Sequence, residues 1–333
     1  MNIYDISKLA GVSIATVSRV LNGNEKVSEK TKKKVLDVIE QQGYTPNVFA
    51  RGLGLNTMKT IGLLCTDASD IYQAKAIYYM EELLRAQGYD SILCCSGFQL
   101  QSKEKCLALL LAKKVDALIL IGSGFVYEDP EKDRYICHAA EQVPVMLLNA
   151  ALDVPNVYGV VSDDETSVYE ATNQLINRGI KDILYFYNAT SYSGKRKLAG
   201  YRRAMTEHNI LDEKRIHFFG RNSEDVPGMA NYLMQLRRNG LQFHGIITSN
   251  DQLALAAIKY AKKAGLSIPD DLAIIGYDNS MLACCCDPEL SSIDVQMESL
   301  CQQLVANLMR ALKGDSVPAI TTLPGHIFYR ETT

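Results

Sequence analysis

Apolar residues recur at helical spacing in three short stretches of the first 45 residues. In the first stretch Ile3, Ile6, Leu9 and Ala10 share one helix face, and Gly11 follows as a stop signal. Two further stretches repeat the pattern, with inward positions Val17, Val20 and Leu21, then Val35, Leu36, Val38 and Ile39. The pattern predicts three short amphipathic helices.

Polar residues and a turn signal mark the ends of these helices. Ser13 and Ser28 stand before the second and third stretches, where a hydroxyl caps a helix, and Asn22-Gly23-Asn24 marks a turn between them. The order helix, tight turn, helix, loop, helix is typical of a helix-turn-helix motif. We therefore expect an all-α head over residues 1–45.

The second helix of such a motif lies in the major groove of DNA, with its N-terminal residues at the base edges. Its outward positions here carry hydroxyl, amide, guanidinium and methyl groups, which suit base edges and phosphates. These positions are Ile14, Ala15, Thr16, Ser18, Arg19 and Asn22. We expect Tyr4 and Ser13 to contact DNA as well.

From residue 60 onward, short apolar runs alternate with amphipathic helical stretches. Such runs are typical of parallel strands that helices cover on both faces. The predicted strands are residues 61–65, 91–95, 117–121, 145–148, 183–187, 216–219, 245–248 and 273–276. Their number and spacing predict an α/β core with two lobes of doubly wound parallel sheet.

Polar residues follow several of these strands. Ligands of doubly wound sheets bind outside the carboxyl ends of the strands, so two facing lobes would enclose a cleft. The candidate ligand-binding residues are Ser69, Asp70, Tyr72, Ser123 and Asn149 in one lobe, and Asn250 and Asp278 in the other. The ring of Tyr72 could stack against a sugar or a base.

Charge is distributed unevenly along the chain. Residues 1–59 carry a net charge of +4, whereas the remaining residues carry −7. A basic head on an acidic body is expected where only the head contacts phosphates. The nine cysteines have no CxxC spacing, and the first residues lack the pattern of a signal peptide, so we expect free thiols, a cytoplasmic protein and no membrane association.

Two segments of the head resemble a known family. Residues 3–22, IYDISKLAGVSIATVSRVLN, and residues 27–31, VSEKT, running on to GYTPN at residues 43–47, resemble the signature of the lactose-repressor (LacI/GalR) family. The similarity extends through the rest of the chain. It implies a helix-turn-helix head, a hinge over residues 46–59 and a two-lobed, periplasmic-binding-protein-like core over residues 60–333.

The resemblance also implies how the core is divided. The chain of this family crosses between the lobes three times, which we expect near Ser162, near residues 293–295 and near Pro318. The first lobe would then comprise residues 60–161 and 295–317, and the second lobe residues 162–292 and 319–331.

Further site residues come only from the resemblance. In the family the hinge forms a short helix on operator DNA, and a leucine from it enters the minor groove. The matching hinge residues here are Asn47, Ala50, Arg51 and Leu53.

Asn250 and Asp278 match family residues that contact the effector, and so does position 197, which is commonly Arg. Here it is Lys197, preceded by Arg196, and Lys lacks the planar fork of Arg. Two interpretations stay open: Arg196 takes over the role, or the site binds an effector other than the usual neutral sugar.

These observations predict a DNA-binding transcriptional regulator that acts as a repressor. We expect a homodimer on a near-palindromic double-stranded operator, with its affinity controlled by a small-molecule effector, by resemblance a carbohydrate. The alternatives are a nucleotide-using enzyme of doubly wound fold and a small-molecule-binding protein without DNA. The sequence carries no GxGxxG, GxxxxGK[ST], HExxH or GxSxG motif, so we expect no enzymatic activity, no metal and no cofactor.

Overall fold

Three helices form a small head at the start of the chain. They are α1 (Ile3–Ala10), α2 (Ile14–Leu21) and α3 (Glu29–Gln41). The computed structural model describes residues 1–21, 26–43, 57–220 and 225–333. The predicted hinge residues Asn47, Ala50, Arg51 and Leu53, together with Asn22, lie outside these ranges.

The head buries a five-residue apolar core. Its members are Ile6, Ala10, Val17, Val20 and Val35. The inward placement predicted for Leu9 and Leu36 is wrong, because these side chains are 54% and 45% exposed. Each lies at the edge of its helical stripe, and a core made by three short helices covers only the centre of each stripe.

The helix ends of the head follow the predicted signals. Gly11 ends α1 with φ 59°, a left-handed conformation that glycine adopts without steric cost. The backbone N–H of Thr16 donates to Ser13 Oγ at 3.1 Å, and that of Thr31 donates to Ser28 Oγ at 3.3 Å. The hydroxyls therefore cap α2 and α3 as predicted.

Two six-stranded sheets, each covered by helices, form the rest of the described chain. The first contains β1 (Thr60–Cys65), β2 (Asp90–Cys95), β3 (Ala117–Ile121), β4 (Val145–Leu148), β5 (Val157–Ser162) and β11 (Ile320–Leu323), in the order β2-β1-β3-β4-β5-β11. The second contains β6 (Ile183–Tyr187), β7 (Ile216–Phe218), β8 (Gly245–Thr248), β9 (Ala273–Tyr277), β10 (Ser291–Asp294) and β12 (His326–Phe328), in the order β7-β6-β8-β9-β10-β12. β10 and β12 pair antiparallel, and the other pairs in both sheets are parallel.

Helices cover both faces of each sheet. Those of the first lobe are α4 (Ile71–Ala86), α5 (Leu100–Ala112), α6 (Pro130–Ala140) and α12 (Met297–Leu312). Those of the second lobe are α7 (Asp164–Asn177), α8 (Tyr192–Glu207), α9 (Val226–Arg238), α10 (Asp251–Ala264) and α11 (Met281–Cys285). Alternate residues of β3 join apolar clusters on opposite faces, which confirms the predicted doubly wound architecture. Within the described ranges, no helix is both long and apolar enough to cross a bilayer.

Three crossings connect the lobes, after β5, after β10 and after β11. The crossing segments are bonded to one another: the N–H of Asp163 donates to the carbonyl of Leu323 at 2.8 Å, and Gln296 Nε2 donates to the carbonyl of Pro324 at 2.8 Å. The third crossing predicted near Pro318 is placed too early. Residues 320–323 pair with β5 in the first lobe, so the chain enters the second lobe only after Leu323.

Gly200 sets the spacing between two helices of the second lobe. A Cβ at this position of α8 would lie 2.1 Å from the carbonyl oxygen of Glu165 in α7. We predict that Gly200→Ala forces the helices apart and destabilises the second lobe by about 1–3 kcal/mol. Thermal unfolding of the full chain measures this. Gly124→Ala, where a Cβ would meet no atom within 4 Å, is the control, and equal melting temperatures for the two variants would contradict the packing argument.

Candidate functional site

A cavity of about 1030 Å³ lies where the carboxyl ends of the two sheets face each other. Seven predicted effector residues line it, namely Asp70, Tyr72, Ser123, Asn149, Lys197, Asn250 and Asp278. Ser69 and Arg196 are not among its lining residues. Ser69 instead lines an adjoining cleft of about 720 Å³, which shares Asp70, Tyr72 and Asp278 with the cavity.

The first lobe contributes the start of α4 to the cavity. Asp70 caps this helix by accepting the N–H of Gln73 at 2.9 Å, and burial raises its pKa. The hydroxyl of Tyr72 is buried and has no hydrogen-bond partner among the described residues. Ser69 is exposed and donates its hydroxyl to Asp67 at 2.7 Å, so its hydroxyl already has a partner. Tyr72 is therefore a cavity-lining residue of the first lobe with an unfilled hydrogen-bonding group.

Asn149 follows β4 in a left-handed conformation, with φ 58°. Asn and Asp tolerate this region better than other non-glycine residues. Its side-chain oxygen accepts the N–H of Ser162 at 3.2 Å, and only 4% of the residue is exposed. Asn149 thus ties the end of β4 to the first crossing while lining the cavity.

The second lobe contributes the ends of β8 and β9. Asn250 caps α10 through the N–H of Leu253 at 3.0 Å, and its amide nitrogen donates to Asn188 at 3.2 Å. Asp278 follows β9 with φ 92°. Burial raises its pKa to about 7, although the Lys197 ammonium acts in the opposite direction. Asp278 can therefore change charge near neutral pH.

Lys197 reaches the cavity from α8 and is 7% exposed. Its ammonium donates to the carbonyl of Ser249 at 3.1 Å and lies 3.4 Å from the centroid of the Tyr277 ring. The Tyr277 hydroxyl donates to the carboxylate of Asp164, whose pKa is raised by burial. A cation, an aromatic ring and a carboxylate thus form one buried polar layer behind the cavity.

Arg196, the alternative to Lys197, points elsewhere. Its guanidinium donates to Glu128 at 3.0 Å and to the carbonyl of Tyr192 at 3.0 Å, and it stacks 3.2 Å from the Tyr192 ring centroid. Lys195 donates to the same Glu128 carboxylate at 2.8 Å. Because Glu128 belongs to the first lobe and both cations to the second, these ion pairs cross the cleft.

A second contact crosses the cleft nearby. The hydroxyls of Ser123, from the first lobe, and Ser191, which caps α8 in the second, lie 2.8 Å apart. We call this pair, together with Glu128, Lys195 and Arg196, the cross-cleft clasp. It joins the two lobes across the cleft.

Sequence reasoning missed several residues of the site. Asn188 follows β6 directly, so the rule that ligands bind at strand ends could have found it. Lys103 lies within α5 and lines the cavity at 3% exposure, and nothing in the local pattern marks it. Glu128 has φ 57° in a loop and likewise carries no sequence signal. Among the described residues, no group of His, Cys, Asp or Glu could hold a metal.

The candidate DNA-binding surface lies on the head. Tyr4 is 61% exposed and Ile14 is 38% exposed, and Ala15 and Arg19 are exposed as well. Thr16 and Ser18 are half-buried. The Thr16 hydroxyl lies 2.9 Å from Ser13 Oγ, within the cap of α2.

Comparison with known proteins finds family matches for both the head and the core of the chain. The sequence profile of the bacterial regulatory proteins of the lacI family matches residues 2–47, and that of the periplasmic binding protein-like domain matches residues 172–333. An HTH-type transcriptional regulator of Lachnoclostridium phytofermentans is 51% identical over 334 residues, covering 100% of this chain and 99% of the relative. Catabolite control protein A of Priestia megaterium is 32% identical, covering 100% of this chain and 99% of that protein.

Solved structures show the same fold. The Lac repressor bound to ONPG in the repressed state superposes with a TM-score of 0.89 at 24% identity, covering 100% of this chain and 99% of that chain. A complex of the transcriptional regulator CelR with cellobiose gives a TM-score of 0.72 at 24% identity, covering 100% of both chains.

The three-helix head, the two facing lobes and the full-length relatives all indicate the same family. The chain belongs to the LacI family of bacterial regulatory proteins and is a helix-turn-helix transcriptional regulator.

Proposed function

We propose that this regulator binds a near-palindromic operator as a homodimer, and that a small molecule in the cavity between the lobes controls its operator affinity. The observation that carries the proposal is the cavity itself, which both lobes line with polar side chains. One reading head covers only a half-site, so two copies are required for a palindrome. The Lac repressor dimer has been solved bound to operator and anti-inducer, which supports the same assembly here.

The mechanism is linkage between lobe orientation and DNA binding. A ligand that contacts both lobes favours one orientation, and that orientation sets the distance between the two heads of a dimer. A ligand shifts this equilibrium only by its difference in affinity for the two orientations. The cellobiose bound to CelR supports a carbohydrate as the effector.

The proposal is tested by selecting duplex DNA from a random pool with the full chain and then screening small molecules. Thermal shift identifies compounds that bind, and mobility shift on the selected duplex shows whether they change operator affinity. A chain that prefers no duplex sequence, with or without ligands, would refute the proposal.

Arg19 is the candidate for base-specific contact. We predict that Arg19→Ala costs about 1–3 kcal/mol of binding free energy and relaxes preference at one base pair of each half-site, because a guanidinium can contact guanine bidentately. Fluorescence anisotropy with the selected duplex and its single-base variants measures both effects. Arg178→Ala, an exposed arginine at the end of α7, is the control. Equal weakening on all duplexes would mean that Arg19 contacts a phosphate instead.

Glu128 holds the cross-cleft clasp. We predict that Glu128→Gln weakens binding of the screened effector about two- to thirtyfold, since each of its two ion pairs contributes about 0.2–1 kcal/mol. Added salt should weaken effector binding in the parent protein and have less influence in the variant. Isothermal titration at two salt concentrations checks both statements. Glu131→Gln, at the first turn of α6, is the control. Equal effector affinities and equal salt dependence for the two variants would show that the clasp does not contribute to effector binding.

The raised pKa of Asp278 predicts a pH-dependent stability. The pKa of the Asp278 carboxyl is 3.8 in the unfolded chain and about 7 in the folded chain. Between these two pH values the carboxyl is therefore protonated in the folded chain and ionised in the unfolded chain. The stabilisation from Asp278 is complete below pH 3.8 and is lost as the pH rises through about 7. Asp278→Asn stays neutral, so its melting temperature should rise relative to the parent between pH 5 and pH 8.

Asp67→Asn is the control for this pH series. Hydrogen bonds from Ser69 lower the pKa of Asp67, so that group is ionised throughout the range and the difference from the parent should stay constant. If the melting-temperature difference between Asp278→Asn and the parent were also constant across this range, the Asp278 carboxyl of the parent would have an ordinary pKa.

A further inference from the structure

Lys103 is a buried cation on the first-lobe wall of the cavity. It is 3% exposed, and its ammonium donates to the carbonyl of Gly124 at 2.6 Å and to the hydroxyl of Tyr127 at 2.8 Å. The ammonium also lies 5.3 Å and 4.7 Å from the ring centroids of Phe125 and Tyr127. These groups are neutral, so they orient the ammonium without balancing its charge.

No carboxylate of the described residues forms an ion pair with Lys103. The carboxylate that acts on it through space is Asp133, whose two oxygens accept the backbone N–H groups of Tyr127 at 2.8 Å and Asp129 at 3.2 Å. Burial lowers the pKa of Lys103 to about 8, which still leaves it mostly charged at neutral pH. A buried charge without a counter-ion is costly, and proteins normally pair it.

The second lobe presents a similar group. Lys197 also lines the cavity and is also buried, and none of the described carboxylates lies within ion-pair distance of it. Asp164 and Asp278 act on it only through space, and Asp164 already accepts the Tyr277 hydroxyl. The cavity therefore has one buried cation on each wall, whereas Lys195, which also lines the cavity, is exposed and bound to Glu128.

We propose that Lys103 is the anion-binding residue of the cavity and that the effector carries a phosphate or carboxylate group. The inference rests on the proposed function, because it takes the cavity to be the effector site. Two of the three N–H groups of Lys103 are used by protein acceptors, and an anionic oxygen of the ligand accepts the remaining one. Lys197 contacts the same ligand from the opposite lobe, so the anion helps to hold the lobes together.

The test begins with inorganic phosphate as the probe. Titration of the full chain by calorimetry should give saturable binding that Lys103→Met weakens about tenfold or more, as expected for a charge-assisted hydrogen bond. Lys103→Arg keeps the charge and should bind more tightly than Lys103→Met. Lys105→Met changes an exposed lysine on the same helix and should bind phosphate like the parent. Binding that is absent in the parent, or equal in the parent and Lys103→Met, would overturn the inference.

A second measurement covers the case in which Lys103→Met does not fold. The NMR signal of the Lys103 side-chain methylene next to the ammonium, labelled with ¹³C in the parent protein and assigned with Lys103→Arg, should shift when phosphate is added. An unmoved signal at saturating phosphate would count against the assignment regardless of the variant's behaviour.

Matched ligands then separate this inference from the proposed function. Hexoses are compared with their 6-phosphates and with the corresponding uronic acids for binding and for change in operator affinity. Preference for the phosphates or for the uronates identifies the anionic group. A neutral compound that binds in the cavity and changes operator affinity, with anionic compounds inactive, would refute the role of Lys103 and leave the proposed function intact. Cavity ligands that bind through Lys103 without any effect on operator affinity would refute the proposed function alone.

Discussion

The structure depends on one property of parallel sheets, which is that all strands of a sheet end at the same edge. In each lobe those ends carry the loops with polar side chains, so facing the two edges toward each other creates a polar cavity. The three crossings keep the two edges facing each other, because Asp163 is bonded to Leu323 and Gln296 to Pro324 across adjacent segments. Few covalent connections join the lobes, so their relative orientation is the natural movement of the core.

Buried charge gives this cavity its chemical character. Lys103 and Lys197 lie on opposite walls, and Asp164 lies close enough to Asp278 to raise the pKa of its carboxyl. Each group was removed from water on folding, at a cost that neutral hydrogen-bond partners offset only in part. A ligand that supplies the missing partners recovers that cost, whereas one that leaves them unpaired does not. Discrimination between ligands therefore comes from these desolvated groups rather than from cavity size.

The sequence predicted most of the strands that burial makes continuously apolar, but it missed the buried strands β5 and β10, whose sequences VYGVVS and SSID are interrupted by glycine or polar residues. The strands β1, β3 and β8 are continuous apolar runs because helices cover both of their faces, and such runs can be recognised without a structure. β11 was missed because it is an edge strand whose residues, Ile320–Leu323, are exposed or half-exposed, so its sequence carries no apolar run. Because β11 pairs with β5, the chain stays in the first lobe past Pro318 and crosses after Leu323.

The site was predictable where residues follow strands, and not where helices or loops approach from the side. Asn250 and Asp278 are predictable because they follow the ends of β8 and β9, whereas Lys103 reaches the cavity from α5 through its bonds to Gly124 and Tyr127. The alternative between Arg196 and Lys197 could not be decided from sequence, since adjacent helical residues point about 100° apart and only the structure shows which one faces Glu128.

The relative strengths of the clasp and of ligand binding decide which of them controls the orientation of the lobes. The exposed clasp pairs contribute about 0.2–1 kcal/mol each, whereas coupling between two ligand sites is typically about 1–3 kcal/mol. The clasp can thus bias the orientation of the lobes, but the difference in ligand affinity between orientations must supply most of the coupling. Because that coupling is reciprocal, operator DNA must change effector affinity by the same factor as the effector changes operator affinity.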